Sequence, residues 1–275
     1  MSATVWPLEA GILRELICPV SLVHAVAQFQ LLGMSRVVIV VDDYIDGDDE
    51  IVEASRIALR ERMVSALKES IALDSLAPAT VKVVGLSQLE KAIAIPSQDS
   101  DLMNEDIIWC PLTLDVPNTL QFPGQNIFQA CNQERSLREW VQQQLGYATS
   151  DDQLLDVFLL PVVFTAKGPL YAEVIGKGET PNTDHQPVDL PDNQRQPLYH
   201  LAYQLLKFLS APPAVYLLQF GWREKKIVFD RLWPFPAAPA IASLGVQNPD
   251  LFTCHWQCLT GQPIIDLTII PKHGY

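Results

Sequence analysis

The sequence is short of cysteine, glycine and long apolar runs, and each shortage excludes a class of protein. Five cysteines in 275 residues form an odd and sparse set, which predicts buried reduced thiols rather than a disulfide framework. The 13 glycines are scattered, so the sequence has no Gly-rich phosphate-binding loop. No window approaches the roughly 18 consecutive apolar residues that span a bilayer. We therefore expect neither a disulfide scaffold nor a membrane span.

Positive charge is also scarce. The chain has 19 Lys and Arg against 32 Asp and Glu, which gives a formal net charge of −13. Affinity for nucleic acid or for an anionic membrane surface comes mainly from Lys and Arg that neutralise phosphates, so we exclude both as partners. The first residues have no basic leader, and Glu9, Arg14 and Glu15 interrupt their apolar stretch, unlike a secretory signal. We expect a cytoplasmic protein.

The first half of the chain has an α/β pattern. With 48% hydrophobic and 19% charged residues, the chain has ample apolar mass for one large or two modest domains. The periodicity predicts strands at 36–41, 81–85 and 106–110, and helices at 55–71 and from Ser87. Strands that alternate with helices pair in parallel, so residues 1–147 are predicted to form a Rossmann-like α/β domain.

The second half has a different pattern. It predicts paired strands at 154–165 and 170–175, a helix at 194–209, and paired strands at 214–220 and 226–233. Two strands, a helix and two more strands are typical of an antiparallel sheet backed by a helix. Residues 148–275 are therefore predicted to form an α+β domain, which makes the whole chain an α/β protein of two domains.

The C-terminal half resembles a known family. Val215–Phe220, a short turn and Val228–Pro236 are similar to the closing part of the ATP-grasp fold, as in carboxylate-amine ligases. The segment 134–146, a helix that ends in a glycine, resembles the helix leading into the nucleotide-binding part of those enzymes. The resemblance implies an ATP-grasp-like fold and, in an active member, a reaction that needs Mg²⁺ and a nucleotide.

The site residues depart from the family pattern. Where the family has its first metal-binding carboxylate this chain has Gln219, and where it has an Asn/Glu pair this chain has Asp230 and Arg231. Mg²⁺ takes oxygen ligands and a guanidinium offers only donors, so at most one anionic ligand remains. Too few residues lie between Gly146 and the first predicted hairpin to hold the family's first ATP-covering subdomain. The resemblance therefore implies a degenerate scaffold.

The densest charge lies in residues 42–53, where a predicted parallel strand ends and α/β proteins place ligands. Asp42 and Asp43 suggest a divalent-cation site at the strand end. Counted from Asp42, Asp46 also falls at a ligand position of a calcium loop, although Tyr44 replaces the third-position ligand. The alternative is a solvated loop whose last acids stabilise the N-terminus of the following helix.

Cys254, His255 and Cys258 form the second candidate cluster. Two thiols and an imidazole within five residues could begin a zinc site, but structural zinc takes four ligands from paired clusters and no second cluster follows. The alternative is a helix that buries its cysteines.

Aromatic and basic residues near the second hairpin suggest a contact surface. Prolines stiffen residues 230–240, so this segment can present Trp233 and Phe235, with Arg231, to a protein partner. Trp222 and Arg223, beside two lysines, form the one basic cluster of an acidic chain. That cluster could bind an acidic partner or a small anionic ligand, or it could keep a sheet edge from pairing.

Two functional hypotheses follow. The leading one is a non-catalytic binding or assembly protein that contacts a protein partner or a small ligand, with no assigned cofactor. The alternative is an Mg²⁺- and nucleotide-dependent enzyme of the ATP-grasp ligase type, which would use Asp42, Asp43 and Asp230 around a crevice between the domains.

Overall fold

The computed structural model describes residues 35–43, 50–76, 78–94, 107–150, 157–178 and 183–271. Within these ranges the chain forms one parallel sheet, one larger mixed sheet and the helices that pack on them. Helices of these ranges are all too short or too polar to cross a membrane.

The first sheet is parallel, as the strand and helix alternation predicts. Its central strand β1 (Ser35–Val41) lies between β2 (Ala79–Gly85) and β3 (Ile107–Pro111). The helices α1 (Glu50–Leu73) and α2 (Leu86–Ala94) follow β1 and β2. The β-branched residues of β1 are buried, which suits a strand covered on both faces.

The second sheet is mainly antiparallel, as predicted. Its strands are β4 (Ala148–Thr149), β5 (Phe158–Thr165), β6 (Gly168–Tyr171), β7 (Val174–Lys177), β8 (Asp184–Val188), β9 (Ala214–Arg223) and β10 (Lys226–Trp233). They lie in the order β4-β10-β9-β5-β7-β8, with β6 also paired to β5. The strand β8 occupies a segment whose composition indicates a loop, because its sequence, DHQPV, lacks apolar alternation.

The β9–β10 hairpin is longer than predicted. Its turn consists of Glu224 and Lys225 alone, both with positive φ, at 52° and 65°. Trp222 pairs with Ile227 in the ladder, so it belongs to a strand and not to the turn. Strand pairing continues to the tip because Ile227 and Trp222 still supply apolar side chains.

Helices cover the second sheet. The helix α3 (Gln125–Asn132) precedes α4 (Glu134–Trp140), which continues as a π-helical turn to Leu145. Gly146, at φ 71°, ends this helix as predicted. The other helices are α5 (Asp192–Phe208) and α6 (Leu251–Leu259), and a 3₁₀ turn (Ala238–Ser243) and the short strands β11 (Gln247–Asn248) and β12 (Thr268–Ile269) lie around α6.

The larger of two hydrophobic clusters in the described residues joins the two sheets. It contains Val37 and Leu67 from the first half together with Leu137, Val215 and Trp256 from the second. Both α3 and α4 pack on β10. The division into domains 1–147 and 148–275 stays a prediction, and residues 1–34 lie outside the described ranges.

Candidate functional site

Asp230 lies at a β-bulge in β10, where the resemblance places a metal ligand. Phe229 pairs with Phe220 and Arg231 pairs with Gln219, so Asp230 is the extra residue on its strand. A bulge re-aims a side chain and leaves a backbone group without its ladder partner. The residue is 5% exposed, so both its carboxylate and its carbonyl need partners from the protein.

Arg138, from α4, supplies those partners. Its Nε donates to the Asp230 carbonyl oxygen at 2.8 Å, and its Nη2 lies 2.5 Å from Asp230 Oδ1. One guanidinium thus satisfies both the free carbonyl of the bulge and one carboxylate oxygen. Charge-assisted hydrogen bonds of this kind are the strongest in proteins.

Gln219 satisfies the other carboxylate oxygen. Its Nε2 donates to Asp230 Oδ2 at 2.7 Å, while its Oε1 accepts from Trp233 Nε1 at 3.2 Å. A carboxylate on one side and an indole N–H on the other fix the orientation of the amide. Gln219 is therefore a hydrogen-bonding bridge at the position where the family has a metal-binding carboxylate.

Glu134 and Arg231 complete the group. Arg231 Nη1 lies 2.6 Å from Glu134 Oε1, and Arg138 Nη2 lies 3.4 Å from Glu134 Oε2. Arg231 Nε also approaches Asp230 Oδ2 at 3.4 Å. Two guanidiniums and two carboxylates alternate in what we call the Asp230 network: Glu134, Arg138, Gln219, Asp230, Arg231 and Trp233.

The Asp230 network does not fit a divalent cation. Mg²⁺ needs several oxygen atoms with free lone pairs and a net negative site. The five side-chain oxygens of Glu134, Gln219 and Asp230 each face an N–H donor, and the two arginines balance the two carboxylates. A cation here would have to displace an arginine and leave its guanidinium charge partly buried.

Asp42 and Asp43 lie at a second place, the C-terminal end of β1. Asp42 accepts from the Thr113 hydroxyl, and its carbonyl accepts from Arg60 Nη1 at 2.8 Å. Asp43 accepts from the Ser87 amide at 2.7 Å and from the Ser87 hydroxyl. The Ser87 hydroxyl and amide hold the pKa of the Asp43 carboxyl below its ordinary value.

These carboxylates border an open cleft of about 750 Å³ between α1 and the start of α2. Its walls carry Arg60, Lys68 and Lys91 as well as acids, so its charge is mixed. Asp46 lies outside the described residues. Asp42 and Asp43 follow the first sheet and Asp230 lies in the second, and the partners of each are different. The crevice that would bring all three together therefore stays a prediction.

The Cys254 cluster is a buried helix face. Cys254, His255 and Cys258 lie on α6 and are buried, and Nδ1 of His255 accepts the Val215 N–H at 3.2 Å. Burial lowers the pKa of His255 to about 3. Among the described residues, no three His, Cys, Asp or Glu side chains are grouped as a metal would need.

The predicted contact residues have three different environments. Phe235 is 3% exposed because it stacks on Phe128 of α3 at 5.9 Å, so its assignment to a contact face is corrected. Arg231 and Trp233 belong to the Asp230 network. The ladder partner of Trp222 is Ile227, which precedes Trp233 by six residues on β10. Trp222 and Trp233 are therefore roughly 20 Å apart along the strand, at about 3.3 Å per residue.

Sequence reasoning missed Glu134 and Arg138. The i,i+4 spacing of Glu134 and Arg138 on a helix was a visible signal. Their partner on β10 was not, since Asp230 is 92 residues away along the chain from Arg138.

Solved structures with a similar fold include synthetases, a transformylase and a ligase. The N5-carboxyaminoimidazole ribonucleotide synthetase of Thermus thermophilus aligns with a TM-score of 0.58 at 10% identity, over 83% of this chain and 79% of that one. The glycinamide-RNase-transformylase T of Mycobacterium tuberculosis gives 0.55 at 16% identity, over 83% and 80%. The L-amino acid ligase of Bacillus licheniformis gives 0.52 at 10% identity, over 82% and 74%.

No protein-family model matches the sequence, and no curated protein matches it. The structural neighbours are ATP-grasp enzymes, and this chain has an ATP-grasp-like fold, which confirms the expectation from the second hairpin. At these low identities the likeness establishes the fold alone.

Proposed function

We propose that this chain is a non-catalytic binding protein built on an ATP-grasp-like fold. The observation that supports the proposal is the Asp230 network. At the position where the fold family binds its cation, guanidiniums of Arg138 and Arg231 neutralise the carboxylates of Asp230 and Glu134. Such a group stabilises structure, and each of its carboxylate oxygens faces an N–H donor in the place where a cation would bind.

The second candidate is an Mg²⁺- and nucleotide-dependent ligase. Its support is the identity of the structural neighbours, which are synthetases and ligases and favour an enzyme over a non-catalytic protein. Such an enzyme would need cation ligands away from the Asp230 network. Asp42 and Asp43 are the carboxylates available to it, beside the 750 Å³ cleft.

Thermal unfolding with and without nucleotide separates the two functions. A ligand present at 100 times its Kd adds roughly 2.7 kcal/mol to the free energy of unfolding. For a chain of this size that gain raises Tm by about 5–10 °C. ATP with Mg²⁺ at millimolar concentration is expected to give no rise in Tm beyond that given by ATP with EDTA.

Substitutions of the two acid sites make this test specific. A rise in Tm that requires Mg²⁺ and disappears in Asp42→Asn would contradict the proposal and support the ligase. A rise that disappears only in Asp230→Asn would show that the Asp230 network can open around a cation, which also contradicts the proposal.

A protein partner and a cytoplasmic location belong to the same proposal. Trp222 is half-buried and Arg223 is exposed at the hairpin tip, and they are the predicted contact residues outside the Asp230 network that are not buried. Purification from a native lysate should recover a partner with the wild type and not with Trp222→Ala combined with Arg223→Ala. Recovery of the same partner with both proteins would rule out the hairpin tip as the contact.

A further inference from the structure

A second pocket lies at the tip of the β9–β10 hairpin. It has a volume of about 360 Å³ and opens between the tip, the chain after Gly146 and the first turns of α5. Tyr147, Trp222, Lys225 and Lys226 line it. Lys226 precedes Asp230 by four residues on β10, or roughly 13 Å, so this tip pocket is separate from the Asp230 network.

Three cationic residues lie at the hairpin tip, Arg223, Lys225 and Lys226, and the two lysines line the tip pocket. Arg223 and Lys226 lie directly opposite each other in the ladder, and Lys225 is between them in the turn. Like charges in directly opposed positions destabilise a hairpin. All three side chains are exposed, and none forms an ion pair with another described residue. This arrangement of like charges does not stabilise the folded chain. A bound anion would interact favourably with all three charges.

The turn adds a second local cost. Glu224 and Lys225 both adopt left-handed backbone conformations, at φ 52° and 65°. Two-residue turns of this kind favour Asn and Gly, which tolerate positive φ. Here a lysine is held in that conformation instead, and its side chain lines the pocket.

Aromatic rings form the other wall. The indole of Trp222 is partly exposed and stands edge-on to Phe220, at 5.7 Å and 88°. The Tyr147 hydroxyl donates to the Pro197 carbonyl at 2.9 Å, which fixes the tyrosine ring. Such rings offer planar surfaces for stacking, and a pocket of this size falls at the small end of ligand sites, about 300–1,000 Å³.

We propose that the tip pocket binds a small molecule in which a planar ring carries a phosphate or a carboxylate. The ring stacks on Trp222, and the anionic group lies between the ammonium groups of Lys225 and Lys226. This proposal rests on the proposed binding function and names the chemical class of its ligand. It needs no metal ion.

Calorimetric titration with simple probes tests the ligand class. The probes are 1-naphthyl phosphate and 1-naphthoate, which combine ring and anion, against 1-naphthol and inorganic phosphate, which each supply one part. Titrations are run with EDTA present. At least one combined probe is expected to bind at least tenfold more tightly than either part, and the better one identifies the anionic group.

Substitutions locate the binding. Lys225→Gln with Lys226→Gln should weaken the combined probe at least tenfold, and Lys225→Arg with Lys226→Arg should restore it because the charges return. Trp222→Leu should also weaken it. Lys207→Gln, an exposed lysine in the last turn of α5, should bind like the wild type. Urea midpoints confirm that each variant is folded.

Two results would overturn the proposal. One is the failure of both combined probes to bind at millimolar concentration, and the other is equal binding by the wild type and the Lys225→Gln, Lys226→Gln variant. Neither result changes the outcome of the Mg²⁺ and ATP titration, so failure of this site and failure of the non-catalytic function are distinguishable.

Discussion

The two acid sites of this protein differ in how their carboxylates are satisfied. Asp42 and Asp43 border an open cleft at the end of β1, and their carboxylates accept from hydroxyl groups and a backbone amide. Asp230 is buried in β10, and its carboxylate accepts from an amide and two guanidiniums. The carboxylates of the first site are open to solvent, whereas the charge of the Asp230 carboxylate is neutralised by two arginines of the same chain.

The comparison shows that the fold around a carboxylate does not determine which groups bind that carboxylate. The fold around Asp230 is ATP-grasp-like, and a β-bulge aims the side chain of this residue. The partners of its carboxylate are those of a structural ion pair and not those of a cation ligand. A chain can therefore have this fold while its buried carboxylate is neutralised by arginines.

The largest effect that sharpens the comparison comes from Asp230→Asn. It leaves the guanidiniums of Arg138 and Arg231 without their buried counter-charge, and breaking a pair of this kind costs about 3–5 kcal/mol. Arg138 keeps some solvent contact, so we expect about 3 kcal/mol in urea unfolding. Asp42→Asn, on an exposed residue, should cost less than about 0.5 kcal/mol. Equal losses at both positions would refute the distinction between the sites.

Gln219→Glu tests the neutralised site from the other direction. The change restores a carboxylate where the family has one, but it removes the donor to Asp230 and places like charges together. We expect a loss of about 2 kcal/mol in the free energy of unfolding at pH 7. Addition of Mg²⁺ should not restore the loss, and the matched control is Gln194→Glu at a half-buried position in the first turn of α5. Recovery in millimolar Mg²⁺ would mean that the site still accepts a cation.

Trp233→Phe probes the outer part of the same network. The ring remains for Arg231, which lies 5.4 Å from its centroid, but Gln219 Oε1 loses its donor. The loss of one hydrogen bond of this kind costs about 1 kcal/mol. Trp222→Phe serves as the control, because the Trp222 indole N–H has no partner among the described residues. A loss in the control as large as in Trp233→Phe would assign the effect to ring size instead.

Asp43→Asn gives the smallest effect, and it tests how the free energy of unfolding depends on pH through the open site. The pKa of Asp43 is lower in the folded chain than in the unfolded chain, because Ser87 donates to the carboxylate. Its contribution to stability is therefore present above about pH 4 and is lost as the pH falls through the lowered pKa. Asp43→Asn should make the stability curve flatter below about pH 4. An unchanged curve would contradict the Ser87 hydrogen bonds.

Local signals predicted much of the fold. The valine run of β1, the paired strands 214–220 and 226–233, and the glycine that ends the helix before Tyr147 all carry their structure in short sequence windows. The strand β8 did not, because Gln186 is held by hydrogen bonds to the Glu173 carbonyl and to Gln247, far along the chain.

The candidate site was less predictable than the fold. Sequence alone pointed to Asp230 and Gln219 through the resemblance, but the arginine that engages Asp230 comes from a helix 92 residues earlier. The burial of Phe235 likewise depends on Phe128, on another helix. The Arg138 contact and the burial of Phe235 both depend on tertiary packing, which short-range sequence patterns do not predict.

The most direct test is a double-mutant cycle between Arg138 and Asp230, measured by urea unfolding with and without Mg²⁺. Arg138→Gln, Asp230→Asn and the double variant give the coupling free energy of the pair. A favourable coupling of about 1.5–3 kcal/mol, unaltered by millimolar Mg²⁺, is the predicted result. A coupling near zero, or an Mg²⁺-dependent gain in the stability of Arg138→Gln that Asp230→Asn abolishes, would contradict it.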